Sequence, residues 1–180
     1  MSKKIKLVTT LDSGGILDST ILINKKLRNK GYSSSIIKVD KFEKNIIKNI
    51  SDGDHVILQM SGYGFHKKGI PLWLINEIKM IKKKSTSLGI HFHELNIKSK
   101  LWNPRVILML LQKYINIQLL KYCDYWVTST KQYAKWLKKY SYKKKNYICS
   151  VHSNINHKLN KVKKNKRIVI LFGTSASRIE

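Results

Sequence analysis

At 180 residues, 42% of them hydrophobic, the chain is long enough for one packed domain and too apolar for an unstructured coil. Its formal net charge of +26 invites a polyanionic partner. Yet the lysines run through nearly every segment, so a Lys-biased composition that solvates helix faces accounts for much of it. An anionic membrane surface and nucleic acid are the other two readings. The longest wholly apolar run, residues 106–111, is far too short to cross a bilayer. The N-terminus passes straight from Lys3 and Lys4 into a strand, with no signal peptide. Cys123 and Cys149 sit beside apolar residues at unrelated spacing, which reads as reduced core thiols in a cytoplasmic protein.

In chain order, residues 5–10 predict a first strand, followed by a turn carrying Gly14 and Gly15 and a helix over 19–30. Asp18 or Ser19 is placed to cap that helix and Gly31 to end it. Residues 36–39 form a second strand, 42–50 a polar helical segment, and 55–60 (HVILQM) a third strand, apolar enough to be covered on both faces. A loop, SGYGFHKKGIP, leads to a helix opened by Pro71, with Leu74, Ile75, Ile78 and Ile81 on one face. A strand around Ile90 and Phe92 ends in His93-Glu94. A polar loop and Pro104 then start a helix to about 122 with Leu108, Leu111, Ile115 and Leu119 at helical spacing. Residues 125–129 predict a fifth strand, Ser129 or Thr130 a helix cap, and 147–151 a sixth strand. Alternation of this kind predicts an α/β fold, a Rossmann-like doubly wound and mostly parallel sheet. The predicted organisation is a domain over 1–155, a polar linker over 156–166, and the first strand of a further, missing domain over 167–180.

Ligands of such sheets bind beyond the carboxyl ends of the strands, where His93 and Glu94 fall. The pair reads either as a structural hydrogen bond or as a base and hydroxyl binder, with the carboxylate orienting the imidazole or accepting from a sugar hydroxyl. Gly14 and Gly15 suit backbone approach to a phosphate at a helix N-terminus, or simply a tight turn. They form neither a G-x-G-x-x-G fingerprint nor a Walker loop, which disfavours a nucleotide-dependent oxidoreductase or a P-loop enzyme. Tyr63, Gly64, Phe65 and His66 either line a sugar-acceptor loop or tuck under the next helix. His91 and His93 share a strand face, but a metal site would need His66 or His152, for which no spacing argument exists; no metal is assigned. The Tyr and Trp residues between Tyr114 and Tyr147 have the spacing of core packing rather than of base stacking.

The order of these motifs carries a resemblance. A strand, Gly-Gly loop and helix are followed by QMSGYGFHKKGIPLWL, HFHEL, a later Asn-Pro, YWVTSTKQYAKWL and VHSNI. This resembles the N-terminal, acceptor-side half of a GT-B glycosyltransferase, in particular the retaining, nucleotide-sugar-dependent enzymes of bacterial surface-polysaccharide assembly. The likeness spans nearly the whole chain. It implies that Gly14 and Gly15 face the donor diphosphate and that His93 lies near the reacting sugar and acceptor. It also implies that Tyr63, Gly64 and His66 shape the acceptor loop, and that Ser153, Asn154 and Gly173 border an interdomain cleft. No cofactor is implied, because the nucleotide sugar is a substrate; a glycan or lipid-linked acceptor is the other partner, and no specific nucleic acid is expected. The sequence departs from such enzymes in two ways. Leu95-Asn96 stand where an aromatic residue is common, and the donor-binding domain with its paired glutamates is missing beyond its first strand. On this reading the chain alone binds donor weakly, turns over little, and works in the cytoplasm or peripherally on the inner face of the membrane. The competing reading is a non-enzymatic basic module for nucleic acid or an assembly partner.

Overall fold

The structure is a computed structural model and describes residues 4–11, 15–40, 45–95, 105–141 and 143–150. The predicted linker and the start of a further domain lie outside these residues. The described chain forms a single six-stranded sheet, in the order β2-β1-β3-β4-β5-β6, with every pairing parallel. The strands are β1 (Lys4–Thr10), β2 (Ser33–Val39), β3 (His55–Met60), β4 (Ser87–Phe92), β5 (Tyr125–Thr128) and β6 (Lys145–Ile148). Between them run α1 (Gly15–Asn29), a 3-10 turn (Ile47–Asn49), the short α2 (Gly62–Phe65), α3 (Trp73–Lys84), α4 (Arg105–Tyr122) and α5 (Lys131–Tyr140). It is an α/β, Rossmann-like doubly wound fold. The order reverses between β1 and β3, the point at which a parallel sheet opens a crevice at its carboxyl ends.

The sheet's two faces differ. On one, Val8, Val56, Leu58, Met60, Leu88, Ile90, Phe92 and Trp126 form a continuous core with α3, α4 and α5. This is the packed face. Leu74, Ile78 and Ile81 of α3 bury there at the predicted helical spacing, and Ile115 and Leu119 do so from α4. Glu77 is buried among them because its carboxylate accepts from the N–H groups of Ile46 (2.8 Å) and Ile47 (2.9 Å), tying the 3-10 turn to α3. The other face is covered over β1 and β2 by α1. Over β3, β4 and β5 its residues are mostly half-buried, with Gln59 and Gly89 the buried ones, so the expectation of a third strand covered equally on both faces is corrected. We call this the open face.

Several boundaries differ from expectation. Helix α1 begins at Gly15, which puts Asp18 and Ser19 inside the helix rather than at its cap, while Gly31 ends the turn after it at φ +82°. The segment predicted as helix over 42–50 contributes a single 3-10 turn among its described residues. Strand β6 starts two residues early, at Lys145, and its described residues are exposed, as befits a sheet edge. Thr130 is the cap of α5, accepting from the Tyr133 N–H at 3.1 Å. Cys123 is buried but Cys149 is exposed, so only the first is a core thiol. Of the aromatics predicted as core, Trp126 is fully buried with Nε1 donating to Ser141, and Trp136 stacks on Tyr140 against the core. Tyr114 and Tyr147 stand exposed instead.

Candidate functional site

Parallel register aligns the open-face residues of neighbouring strands: Gln59 sits beside His91, and Ile57 beside Gly89. One strand further, Gly89 pairs with Tyr125 and His91 with Val127. Gly89 makes room for the Tyr125 ring, because a Cβ there would lie 2.2 Å from it. Alongside this floor stands α1, and between the two lies a groove of about 520 Å³. Ile16, Ser19, Ile23 and Lys26 line its helix side, Gln59, His91 and His93 its polar centre, and Cys149 and Ser150 its far edge.

At that centre the two imidazoles stack, with centroids 4.0 Å apart. Both reach one oxygen: His91 Nδ1 lies 3.1 Å and His93 Nε2 2.8 Å from Gln59 Oε1. An amide oxygen only accepts, so each of those nitrogens carries the hydrogen, which fixes both tautomers and leaves the acceptor lone pair of His93 at Nδ1. Burial, and then the neighbouring His91, push the His93 pKa down to about 3. His93 is therefore neutral at pH 7: an oriented hydrogen-bonding group rather than a cation.

Glu94 goes elsewhere. The His93 N–H donates to the Met60 carbonyl at 3.1 Å, continuing the strand pairing beyond β4, and successive residues of an extended chain project to opposite sides. Glu94 thus turns away from the groove and accepts from Ser61 Oγ at 2.6 Å, while Ser61 Oγ accepts from the Gly64 N–H at 3.3 Å and caps α2. The expectation that this carboxylate orients the His93 imidazole is corrected: Gln59 does so. Glu94 instead borders a cavity of about 10 Å³, room for one water, together with Tyr63, Gly69, Gln112 and Asn116.

Gly15, the first residue of α1, lines the same groove as His93, so the start of that helix and the end of the fourth strand converge. Gly14, Ser153, Asn154 and Gly173 lie outside the described residues. Gly64 is a packing glycine, since a Cβ would come within 2.7 Å of Thr10. His66 supports its own loop, with Nδ1 accepting from the Lys68 and Ile70 N–H groups at 3.2 and 3.4 Å. Tyr63 is exposed, and its hydroxyl accepts from Gln112 Nε2 at 3.4 Å. It is the member of that loop able to meet a ligand. Among the described residues no group of three His, Cys, Asp or Glu side chains is placed to hold a metal ion.

Sequence reasoning missed Gln59 and Ser61. Each had a signal: Gln59 is the polar intruder in HVILQM, and Ser61 is a cap residue directly after a strand. No protein-family model matches the sequence, and no curated protein matches it at a significant level.

Proposed function

We propose that the protein is the acceptor-side part of a glycosyltransferase that moves a sugar from a nucleotide-sugar donor to a glycan or lipid-linked acceptor in surface-polysaccharide assembly. The observation that carries this reading is the polar centre at the carboxyl ends of β3 and β4. A neutral, pre-oriented imidazole at His93 and a hydrogen-bonded carboxylate at Glu94 stand on either side of the strand end, and the start of α1 faces the first. Sugar hydroxyls are both donors and acceptors, and groups of this kind match them without placing a full charge against them. In this role His93 Nδ1 accepts from a hydroxyl and Glu94 accepts from a second one. The N-terminal end of α1 at Gly15 offers N–H groups and a positive dipole end to the donor phosphates. Recognition of the nucleotide base falls to residues beyond those described.

The test is a titration of the histidine imidazole NMR signals with a panel of mono- and disaccharide glycosides. The expected result is that His91 and His93 shift, that His55 and His66 do not, and that His93→Ala abolishes the response of His91. A panel that moves none of the four signals would sink the reading. The net charge of +26 supports a second reading, a basic binding module, which predicts a salt-dependent gel shift with random RNA that is indifferent to His93→Ala.

A further inference from the structure

Three carboxylates of the described chain are held by backbone N–H groups. Glu77 accepts from Ile46 and Ile47, Asp54 from Ser51, and Asp124 from Leu88 and also from Lys82 Nζ. Glu94 is different. It is half-buried, accepts from the Ser61 hydroxyl alone, and among the described residues has no lysine or arginine within ion-pair distance. The sequence holds 36 Lys and Arg against 10 Asp and Glu, so cations are not scarce. A carboxylate drawn partly out of water with no countercharge is costly, and a bound cation would relieve it.

A second acceptor borders the same small cavity as Glu94. Asn116 of α4 is 3% exposed, and its Oδ1 has no hydrogen-bond partner among the described residues. A buried amide oxygen in that state calls for a donor. The remaining wall is built closely. Gln112 Nε2 donates to the Tyr63 hydroxyl and to the Lys68 carbonyl, each at 3.4 Å. Gly69, at φ +68°, lets the loop close on it, since a Cβ there would lie 2.6 Å from that nitrogen. Tyr63, 41% exposed, stands at the rim.

The cavity, about 10 Å³, takes a group no larger than water. A hydroxyl has one hydrogen to donate and satisfies one of the two acceptors. Water serves both but brings no charge. A primary ammonium serves both and supplies the missing countercharge. The net charge of +26 repels a free cation, with screening by salt confining that repulsion to about 8 Å. The ammonium therefore suits a larger ligand with further contacts at the strand ends, where the Tyr63 ring offers a face to stack on.

We propose that Glu94 and Asn116 form a seat for a primary ammonium group, which makes the ligand at the carboxyl ends of β3 and β4 an amino sugar with a free amine. The sugar part rests on the carbohydrate reading above and narrows it to one class. Glu94 accepts from the ammonium and from a neighbouring hydroxyl, while Asn116 Oδ1 accepts from the ammonium alone. An N-acetyl group loses the charge and is too large for the cavity.

The experiment titrates the 180-residue chain with a panel of methyl aminodeoxyglucosides, each against its parent glucoside and its N-acetyl derivative. Affinities are read at about pH 6, where a free amino group is protonated. At least one amine should bind at least about tenfold more tightly than its parent, and its N-acetyl derivative no more tightly. Glu94→Gln, which keeps the shape and still accepts from Ser61, should erase the preference, as should Asn116→Leu. A panel in which no amine outbinds its parent overturns the proposal, and so does a preference that survives Glu94→Gln. If amine and parent bind alike and both shift the His91 and His93 signals, the ammonium seat falls and the carbohydrate reading stands. If the amine preference depends on Glu94 and Asn116 but neither histidine signal moves, the seat stands and the role given to His93 falls.

Discussion

The two faces of one sheet do different work, and β5 shows it within a pair of neighbouring residues. Trp126 points into the packed face, is fully buried and has its indole N–H satisfied by Ser141 at 2.8 Å. Val127 points to the open face and lines the groove. The packed face is a closed jigsaw of aliphatic side chains from three helices, where removing volume leaves a void. The open face keeps a groove, a histidine pair and a buried amide, and it holds polar groups that a core would exclude. Stability is concentrated on one side and chemistry on the other.

The sharpest break of that contrast is a pair of truncations on β5. Trp126→Ala should cost about 3–5 kcal/mol in urea unfolding, from lost burial plus a residual cavity. Val127→Ala, one residue away, should cost under about 1 kcal/mol, because its side chain already faces open space. Equal losses would mean that the groove is filled in solution and that the faces do not differ.

Gly89→Ala comes next. The new Cβ would sit 2.2 Å from the Tyr125 ring, so the ring must leave its place on the groove floor. We expect a loss of about 1–3 kcal/mol, the usual cost of overpacking, with part of it recovered in Gly89→Ala/Tyr125→Leu. A fully additive double variant would show that the ring is not the obstacle.

Acid should act through the open face. The His93 pKa is about 3 when folded, against 6.5 for a free imidazole, so between those values the unfolded chain binds more protons. Stability from this group is complete above pH 6.5 and is lost as pH falls toward 3, with a slope of at most about 1.4 kcal/mol per pH unit. His93→Gln should flatten that part of the stability-against-pH curve. An unchanged curve in the variant would assign the acid sensitivity to other groups.

How far the sequence anticipated this contrast can be argued residue by residue. The parallel α/β order was legible because each strand is a short apolar run between helical repeats, and the α3 stripe of Leu74, Ile78 and Ile81 is a periodic signal that survives without a structure. The open face was not legible. HVILQM sends Val56, Leu58 and Met60 to one side and His55, Ile57 and Gln59 to the other, but which side a later helix covers depends on crossover direction, a property of the whole chain. His93 was found as a strand-end residue, but its partner was misassigned to the adjacent Glu94. Extended backbone sends neighbours apart, and the true partner, Gln59, is 34 residues away and adjacent only through the β3–β4 register. The role of Gly64 was hidden for the same reason, since Thr10, which it packs against, is far away in sequence.

The smallest effect is kinetic, and it separates the faces with two native probes. Cys123 lies buried just beyond α4 on the packed side, and burial is the main cause that lifts its thiol pKa to about 11. Cys149 is exposed at the far edge of the groove, its N–H donating to the Thr128 carbonyl at 2.9 Å. A thiol reacts as the thiolate, so exposure favours Cys149, while burial and a raised pKa both slow Cys123. With a small maleimide at pH 7, Cys149 should label at the rate of an open thiol. Cys123 should label only as fast as the packed face opens, and in proportion to urea-induced unfolding. Trp126→Ala should speed labelling of Cys123 and leave Cys149 unchanged, whereas Val127→Ala should change neither. If both thiols react together in the wild type, the core over α4 opens as readily as the groove, and the division of labour between the faces fails.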